Sequence, residues 1–268
     1  MHAKTPDLIP MGMTTVNPKA FLIDLDGTLY FKNEPYPGAV QTVRYLREKR
    51  YQVRFLTNIT AKTPKMLHDE MRALGFDVHE SEILNASYAC LLYLRSQPRA
   101  RCHFLVDDFV KSYFNEIPTD NESPDFVVVG DYGDRFDFRS LNQAFRLLMD
   151  GAELIALQKS PYWVSPEEIR LDCGAFTALL EYASNKTAKV MGKPSKLFFK
   201  IALDSLQLPP SEVIMVGDDI TTDILGAERM EMRSVLVRTG KFKPNQLESP
   251  TANPTWVLDS VSDLQRMF

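Results

Sequence analysis

Short apolar runs rich in Val, Ile, Leu and Phe recur along the chain, separated by stretches of helical length that carry one apolar face. Runs that stay apolar rather than alternating mark strands covered on both sides, so the pattern predicts an α/β protein with parallel strands. The first run, Ala20 to Ile23, ends on Asp24, and the second, Val53 to Leu56, ends on Thr57. A third, Ala188 to Met191, leads into Gly192 and Lys193, and a fourth, Val213 to Val216, into Gly217 and Asp218. In open parallel sheets the ligand crevice lies beyond the carboxyl ends of the strands. Four strands that each finish on a polar or reactive residue are therefore expected to converge on one site.

The stretches between them carry helix signals. Pro37 and Gly38 lead into AVQTVRYLREKR, where Val40, Val43, Tyr45 and Leu46 suit one face and the last turn is basic, as a helix C-terminus favours. Thr63 with Pro64 opens a helix to Leu74 that Gly75 closes, and Ala86 to Arg95 suits another. From Pro98 to Thr187 a second α/β series follows. Its strands are expected at His103 to Val106, Phe126 to Val129 and Leu154 to Leu157, and its helices at Asp108 to Asn115, Ser140 to Met149 and Ala175 to Ala183. About 90 residues suffice for a small domain. The expected organisation is a doubly wound parallel sheet built from residues 13–97 and 188–268, with a smaller α/β domain, 98–187, inserted through two crossings. No internal repeat or low-complexity tract interrupts it.

Composition narrows the partners. With 44% hydrophobic and 25% charged residues over 268 positions, the chain has ordinary globular make-up. A formal net charge of -4 and the lack of a basic stretch interleaved with aromatics argue against a nucleic-acid partner. Cys90, Cys102 and Cys173 are odd in number and form no C-x-x-C pair, which favours packing roles in a reducing compartment. The start, MHAKTPDLIPMGMTT, has no signal-peptide core, and no apolar run reaches the roughly 18 residues of a membrane span, so a cytoplasmic location without a membrane partner is expected. His2, His68, His79 and His103 show no zinc-ligand spacing, and the mixed charges of DYGDRFDFR, Asp131 to Arg139, suit a solvated loop.

The acids carry the chemistry. Asp24 and Asp26 alternate along an extended segment and can point the same way. Asp218 and Asp223 arrive from the fourth strand and the helix after it. Like charges 4 Å apart repel by about 4 kcal/mol per pair at the effective dielectric of such sites, so a cation belongs among them. Hard oxygen donors favour Mg²⁺, typically held by one or two carboxylates together with substrate phosphate oxygens. A carboxylate nucleophile that forms an acyl phosphate needs a second acid or base to protonate the leaving oxygen and then activate water, and Asp24 with Asp26 suits the two roles. Thr57, Asn58 and Lys193 can supply donors and positive charge to the phosphoryl oxygens, and Gly27 allows a sharp turn close to a ligand.

DLDGTLY, then TN after an apolar strand, then GKP, then VGDDITTDILGA resemble the four ordered motifs of the haloacid dehalogenase (HAD) superfamily. An insert between the Thr57 and Lys193 motifs resembles the C2-capped, NagD-like subgroup. Within it, LNQAFRLLMDGAELIAL, FTALLEYAS and VMGKPSKLFF are similar to the HDHD-two-like and phospholysine phosphohistidine inorganic pyrophosphate phosphatase branches. The resemblance implies a Rossmann-like core with a C2-type cap, and a phosphatase acting on a small phosphorylated metabolite, a phosphoamide or pyrophosphate. It implies Asp24 as nucleophile, Asp26 as general acid/base, Mg²⁺ held by Asp24, the Asp26 backbone carbonyl and Asp218, and Asp223 supporting the metal through water or from behind its ligands. Thr57 and Lys193 would hold phosphate, and Asp219, where relatives vary, is not counted as a ligand. LDCGAF, Leu171 to Phe176, stands in the place of a substrate-facing glycine loop, making Asp172, Cys173 and Gly174 candidates to face the substrate, whereas Tyr162 and Trp163 in SPYWVSPEE suit ordinary packed aromatics better than substrate-facing ones. Caps of this type also mediate homodimers in relatives. The rival reading is a non-catalytic phosphate-binding or signalling scaffold that keeps the motifs.

Overall fold

The computed structural model describes residues 17–164, 168–248 and 251–268, so that His2 and positions 13–16 of the expected first segment lie outside the described residues. Strand β1 (Ala20–Asp24) is followed by a small hairpin, β2 (Tyr30–Phe31) and β3 (Glu34–Pro35), then helix α1 (Ala39–Glu48), β4 (Gln52–Thr57), α2 (Pro64–Ala73), β5 (Ile83–Asn85) and α3 (Ala86–Arg95). The chain then builds β6 (Cys102–Leu105), α4 (Asp108–Tyr113), β7 (Phe126–Val129), α5 (Phe138–Met149), β8 (Glu153–Ala156), a hairpin of β9 (Tyr162–Val164) with β10 (Ile169–Leu171), α6 (Cys173–Ser184) and β11 (Lys189–Val190). It closes with α7 (Lys196–Leu206), β12 (Val213–Gly217), α8 (Leu225–Arg229), β13 (Arg233–Val237), β14 (Trp256–Leu258) and α9 (Leu264–Met267).

Six parallel strands in the order β14-β13-β12-β1-β4-β5 form the main sheet, a Rossmann-like doubly wound layer. Alternation along the strands divides the core. Phe21, Ile23, Val53, Phe55, Ile214 and Val216 pack under α1 and α2 on one face, against Val43, Leu46, Leu67 and Met71. Ala20, Leu22, Leu56, Val213 and Met215 pack on the other, against Phe198, Phe199, Ala202, Leu203 and Leu206 of α7. Burial of both faces explains why these strands are apolar throughout. Helix starts follow the expected signals: Thr63 Oγ1 accepts from the Met66 N–H ahead of Pro64, and Asn85 Oδ1 accepts from the Tyr88 N–H to open α3.

The second sheet is also parallel, in the order β11-β8-β7-β6. Helix α3 packs one side of it through Cys90, Leu91 and Leu94, while α5 and α6 cover the other through Leu147, Leu148 and Leu180. One expectation changes here. The run Ala188 to Met191, expected as a strand of the main sheet, joins β8 instead: Lys189 pairs with Ile155 and Val190 with Ala156, and the Met191 N–H donates to the Ala156 carbonyl at 2.9 Å. Met191 is fully buried beside Ile155 and Leu157, so burial produced the apolar run without specifying its sheet. The main sheet is completed by β5, β13 and β14, which the sequence pattern did not single out.

Candidate active site

Adjacent registers set the carboxyl ends of β4, β1 and β12 side by side, with Asp24 opposite Leu56 and Ile23 opposite Val216. Asp24 closes β1, Thr57 closes β4, and Asp218 follows β12. Asp223 lies in a π-helical turn, Ile220–Ile224, between β12 and α8, the kind of wide turn that swings a side chain out of helical register. The result is a group of three buried carboxylates, Asp24, Asp218 and Asp223, whose ligand oxygens all lie within 4.8 Å of one another.

Lys193 enters this group from the turn after β11. Its Nζ is hydrogen-bonded to Asp24 Oδ1 and lies 2.7 Å from Asp223 Oδ1, and it also approaches the Leu56 carbonyl at 3.5 Å. Burial pulls the Lys193 ammonium down, but the charges of Asp223 and Asp24 outweigh that and hold it above its usual range. The Thr28 hydroxyl bridges Asp24 Oδ2, at 3.2 Å, and Asp218 Oδ1, at 3.4 Å. The second oxygen of Asp218 accepts from the Lys241 N–H at 2.6 Å, and that of Asp223 from the Asp219 N–H at 3.2 Å. Burial first, then the neighbouring carboxylates, push Asp218 and Asp223 upward from the ordinary carboxylate value.

This donor set fits a divalent cation. When all are ionised, three carboxylates less one ammonium leave two negative charges in a buried pocket, and every ligand atom offered is a hard oxygen, the set that suits Mg²⁺. Glycine makes the close approach possible: a Cβ on Gly27 or Gly240, both at positive φ, would overlap the Asp218 carboxylate, and one on Gly217 would overlap that of Asp223.

Asp26 stands apart from the buried group. It is exposed, in a bridge with Tyr30, and its carboxyl is held above the usual range by partial desolvation and then by the Asp24 charge. Thr57 is buried, with Oγ1 accepting from the Ile59 N–H at 3.2 Å. Asn58 also reaches the site, but its amide is engaged with the Lys193 main chain, accepting from N–H at 2.7 Å and donating to C=O at 3.0 Å. Asp219, not counted as a ligand from the sequence, turns to Thr221 and Lys241.

The cap candidates take other places. Cys173 is buried with its thiol accepting from Gln158 Nε2 at 3.1 Å, and Gly174 lies where a Cβ would overlap the Lys159–Ser160 backbone. Asp172 caps α6 by accepting from the Cys173 N–H at 2.7 Å. LDCGAF thus opens α6, with Asp172 at its N-cap. Tyr162 is exposed, and the side chain of Trp163 lies outside the described residues. Residues the sequence did not single out are Thr28, Lys241 and Thr239, whose hydroxyl donates to the Gly27 carbonyl at 2.6 Å. For Thr28 alone there was a signal, its place in DGT directly after the acids.

Comparison with known proteins agrees with this geometry. The haloacid dehalogenase-like hydrolase model matches residues 21–118, and an HAD-hydrolase-like model matches residues 190–264. The chain is 38% identical over 242 residues to haloacid dehalogenase-like hydrolase domain-containing protein 2 of Mus musculus, covering 90% of this chain and 92% of that protein. It is likewise 38% identical over 251 residues to the phospholysine phosphohistidine inorganic pyrophosphate phosphatase of Bos taurus, covering 91% and 92%. The solved structure of NagD from E. coli K-12 superposes with a TM-score of 0.85 at 25% identity, covering 92% of this chain and 98% of that one. On the strength of these likenesses, together with the ordered motifs and the clustered aspartates, the chain belongs to the haloacid dehalogenase-like hydrolase family, among its NagD-like members.

Proposed function

We propose that this hydrolase is a Mg²⁺-dependent phosphatase that works through a phospho-aspartate on Asp24. The observation that carries the reading is the meeting of Asp24, Asp218 and Asp223 within 4.8 Å, with the Lys193 ammonium joining Asp24 and Asp223. A carboxylate oxygen of Asp24 forms a bond to phosphorus as the bond to the leaving oxygen breaks, and Asp26 gives that oxygen its proton. Asp26, now a carboxylate, takes a proton from water whose oxygen attacks phosphorus, freeing Asp24 and inorganic phosphate. The raised pKa of Asp26 supports the first half of this cycle. Lys193 and Thr57 hold the phosphoryl oxygens, and Thr28 keeps the Asp24 and Asp218 carboxylates in register. When bound, Mg²⁺ would supply positive charge against the phosphoryl group, and Asp24, Asp218 and the Asp26 carbonyl would hold it. Asp223, with both oxygens engaged by Lys193 and the Asp219 N–H, would support that set from behind.

The substrate class proposed is a small phosphorylated metabolite, a phosphoamide or pyrophosphate, the last two in keeping with the name of the bovine relative. The second α/β unit, residues 98–187, acts as the cap that covers the site. We place the protein in the cytoplasm, in keeping with its free, buried cysteines and the absence of a membrane-length apolar helix among the described residues. A homodimer through the cap completes the reading, supported by the exposed Phe138, Tyr162, Ile169, Leu171, Leu179 and Tyr182 on α5, α6 and the β9–β10 hairpin. Phosphate release from p-nitrophenyl phosphate and a panel of phosphometabolites, with Mg²⁺ or EDTA, tests the activity. Asp24→Asn should abolish turnover while keeping the native fold by circular dichroism, and metal-dependent release by that variant at the parental rate would refute the assignment.

A further inference from the structure

Lys193 stands at the main sheet's carboxyl edge without belonging to that sheet. It follows β11, whose ladder partner is β8 of the smaller sheet, whereas the carboxylates it meets hang from β1 and the turn after β12. The main-sheet ladder therefore cannot register Lys193 against Asp24 and Asp223. The Asn58 amide spans the gap: Oδ1 accepts from the Lys193 N–H at 2.7 Å while Nδ2 donates to the Lys193 carbonyl at 3.0 Å. This reciprocal pair on one residue's peptide groups is what an adjacent strand would provide. Gly192 makes room for it, since a Cβ there would sit 2.6 Å from Asn58 Oδ1 and 2.9 Å from the Leu157 carbonyl.

The outgoing crossing is tied to the same loop. The Lys62 carbonyl accepts from Asn85 Nδ2 at 2.6 Å, and the Thr60 carbonyl from the Ser87 hydroxyl at 3.2 Å, both donors lying at the start of α3. The segment after β4 thus grips the chain where it leaves for the smaller sheet and where it returns, and it begins directly after Thr57.

We propose that Asn58 is a positioning residue: its amide registers Lys193, and with it the returning crossing, against the main sheet, so that its contribution to phosphate capture runs through Lys193. The proposal rests on the phosphatase reading above. A double-mutant cycle tests it on the full-length enzyme, using Asn58→Ala, Lys193→Met and the pair, with kcat/KM for p-nitrophenyl phosphate and thermal melting measured for each. A displacement on the order of 1 Å in a catalytic group lowers rate by about a hundredfold, so Asn58→Ala alone should lower kcat/KM by at least tenfold. In the Lys193→Met background the same change should cost less than about twofold, as expected for groups that act as a unit. Equal factors in both backgrounds would mean that Asn58 meets the phosphate by itself and would overturn the proposal, as would an unchanged kcat/KM in Asn58→Ala. If Asn58→Ala melts below the assay temperature, Asn58→Ser, which retains a hydroxyl near the same atoms, takes its place in the cycle under the same criteria. An inactive wild type would instead sink the phosphatase reading, a separate outcome.

Discussion

Replacing Lys193 with Met removes a buried ammonium and leaves its partners in place. Lys193 is 4% exposed, Asp24 6% and Asp223 0%, so no solvent compensates for the lost charge. Breaking a buried ion pair by deleting one partner costs about 3–5 kcal/mol, because the remaining charge stays desolvated. Uptake of a proton by one carboxyl relieves part of this, and we take about 3 kcal/mol as the deficit near pH 8 without metal. For a chain of this size that lowers Tm by on the order of 10 °C. The pH dependence has a definite sign. Asp218 and Asp223 already sit above the ordinary value of 3.8, chiefly through burial, so the folded state binds protons more readily than the unfolded chain. Stability from these groups is therefore lost as pH climbs above 3.8 and regained on acidification. Removing Lys193 strengthens that trend, so the deficit should be widest at pH 8 and shrink towards pH 5. Scanning calorimetry of both proteins in EDTA across that range, repeated with Mg²⁺, measures it, and Mg²⁺ should raise the Tm of the variant more than that of the wild type. A deficit below 2 °C at pH 8, or one that grows on acidification, would refute the charge balance derived for the pocket.

Three further outcomes follow from named contacts. Asp26→Asn should lower steady-state turnover by about a hundredfold or more, yet a stopped-flow burst of p-nitrophenol should survive, since that leaving group needs little protonation and the blocked step is hydrolysis of the phospho-aspartate. Gly240→Ala places a Cβ onto the Asp218 carboxylate at a residue with φ 56°, so it should raise the Mg²⁺ concentration for half-maximal activity by about tenfold and lower Tm, read by metal titration and melting. Leu179→Glu with Tyr182→Glu, on the exposed face of α6, should convert a cap-mediated dimer to monomer in light scattering while leaving the melt of each protomer within a few degrees.

Three parts of the site that were legible in the sequence share a physical mark: each follows a run buried on both faces of a sheet. Asp24, Thr57 and Asp218 interrupt such runs with polarity, and polarity at a strand end has few structural uses, so position and residue type together pointed to chemistry. Strand β5 escaped because three residues are too short for periodicity to register before Asn85 caps the next helix. Lys241 and Thr239 escaped for another reason: they matter through contacts with residues 23 to 212 positions away along the chain, and nothing local in RTGK announces a partner.

The misassigned run before Lys193 joins these two cases. Ala188 to Met191 was correctly apolar and wrongly placed, because hydrophobicity reports that a segment is buried and is silent about which neighbour buries it. The same ambiguity gives the fold its coupling. A lysine delivered by a strand of the main sheet would be registered by that sheet's own ladder, and the smaller sheet could shift without disturbing it. Delivered from the smaller sheet, Lys193 is held to the main sheet by the Asn58 amide and by its ion pairs with Asp24 and Asp223, so a movement of the smaller sheet about its crossings would pull on the Lys193 ammonium. On the proposed reading, in which the smaller sheet caps the site and Lys193 holds phosphate, cap position and phosphate capture would be one equilibrium: a substrate that favours a closed cap would draw Lys193 into place by the same free energy with which a well-placed Lys193 would favour closure.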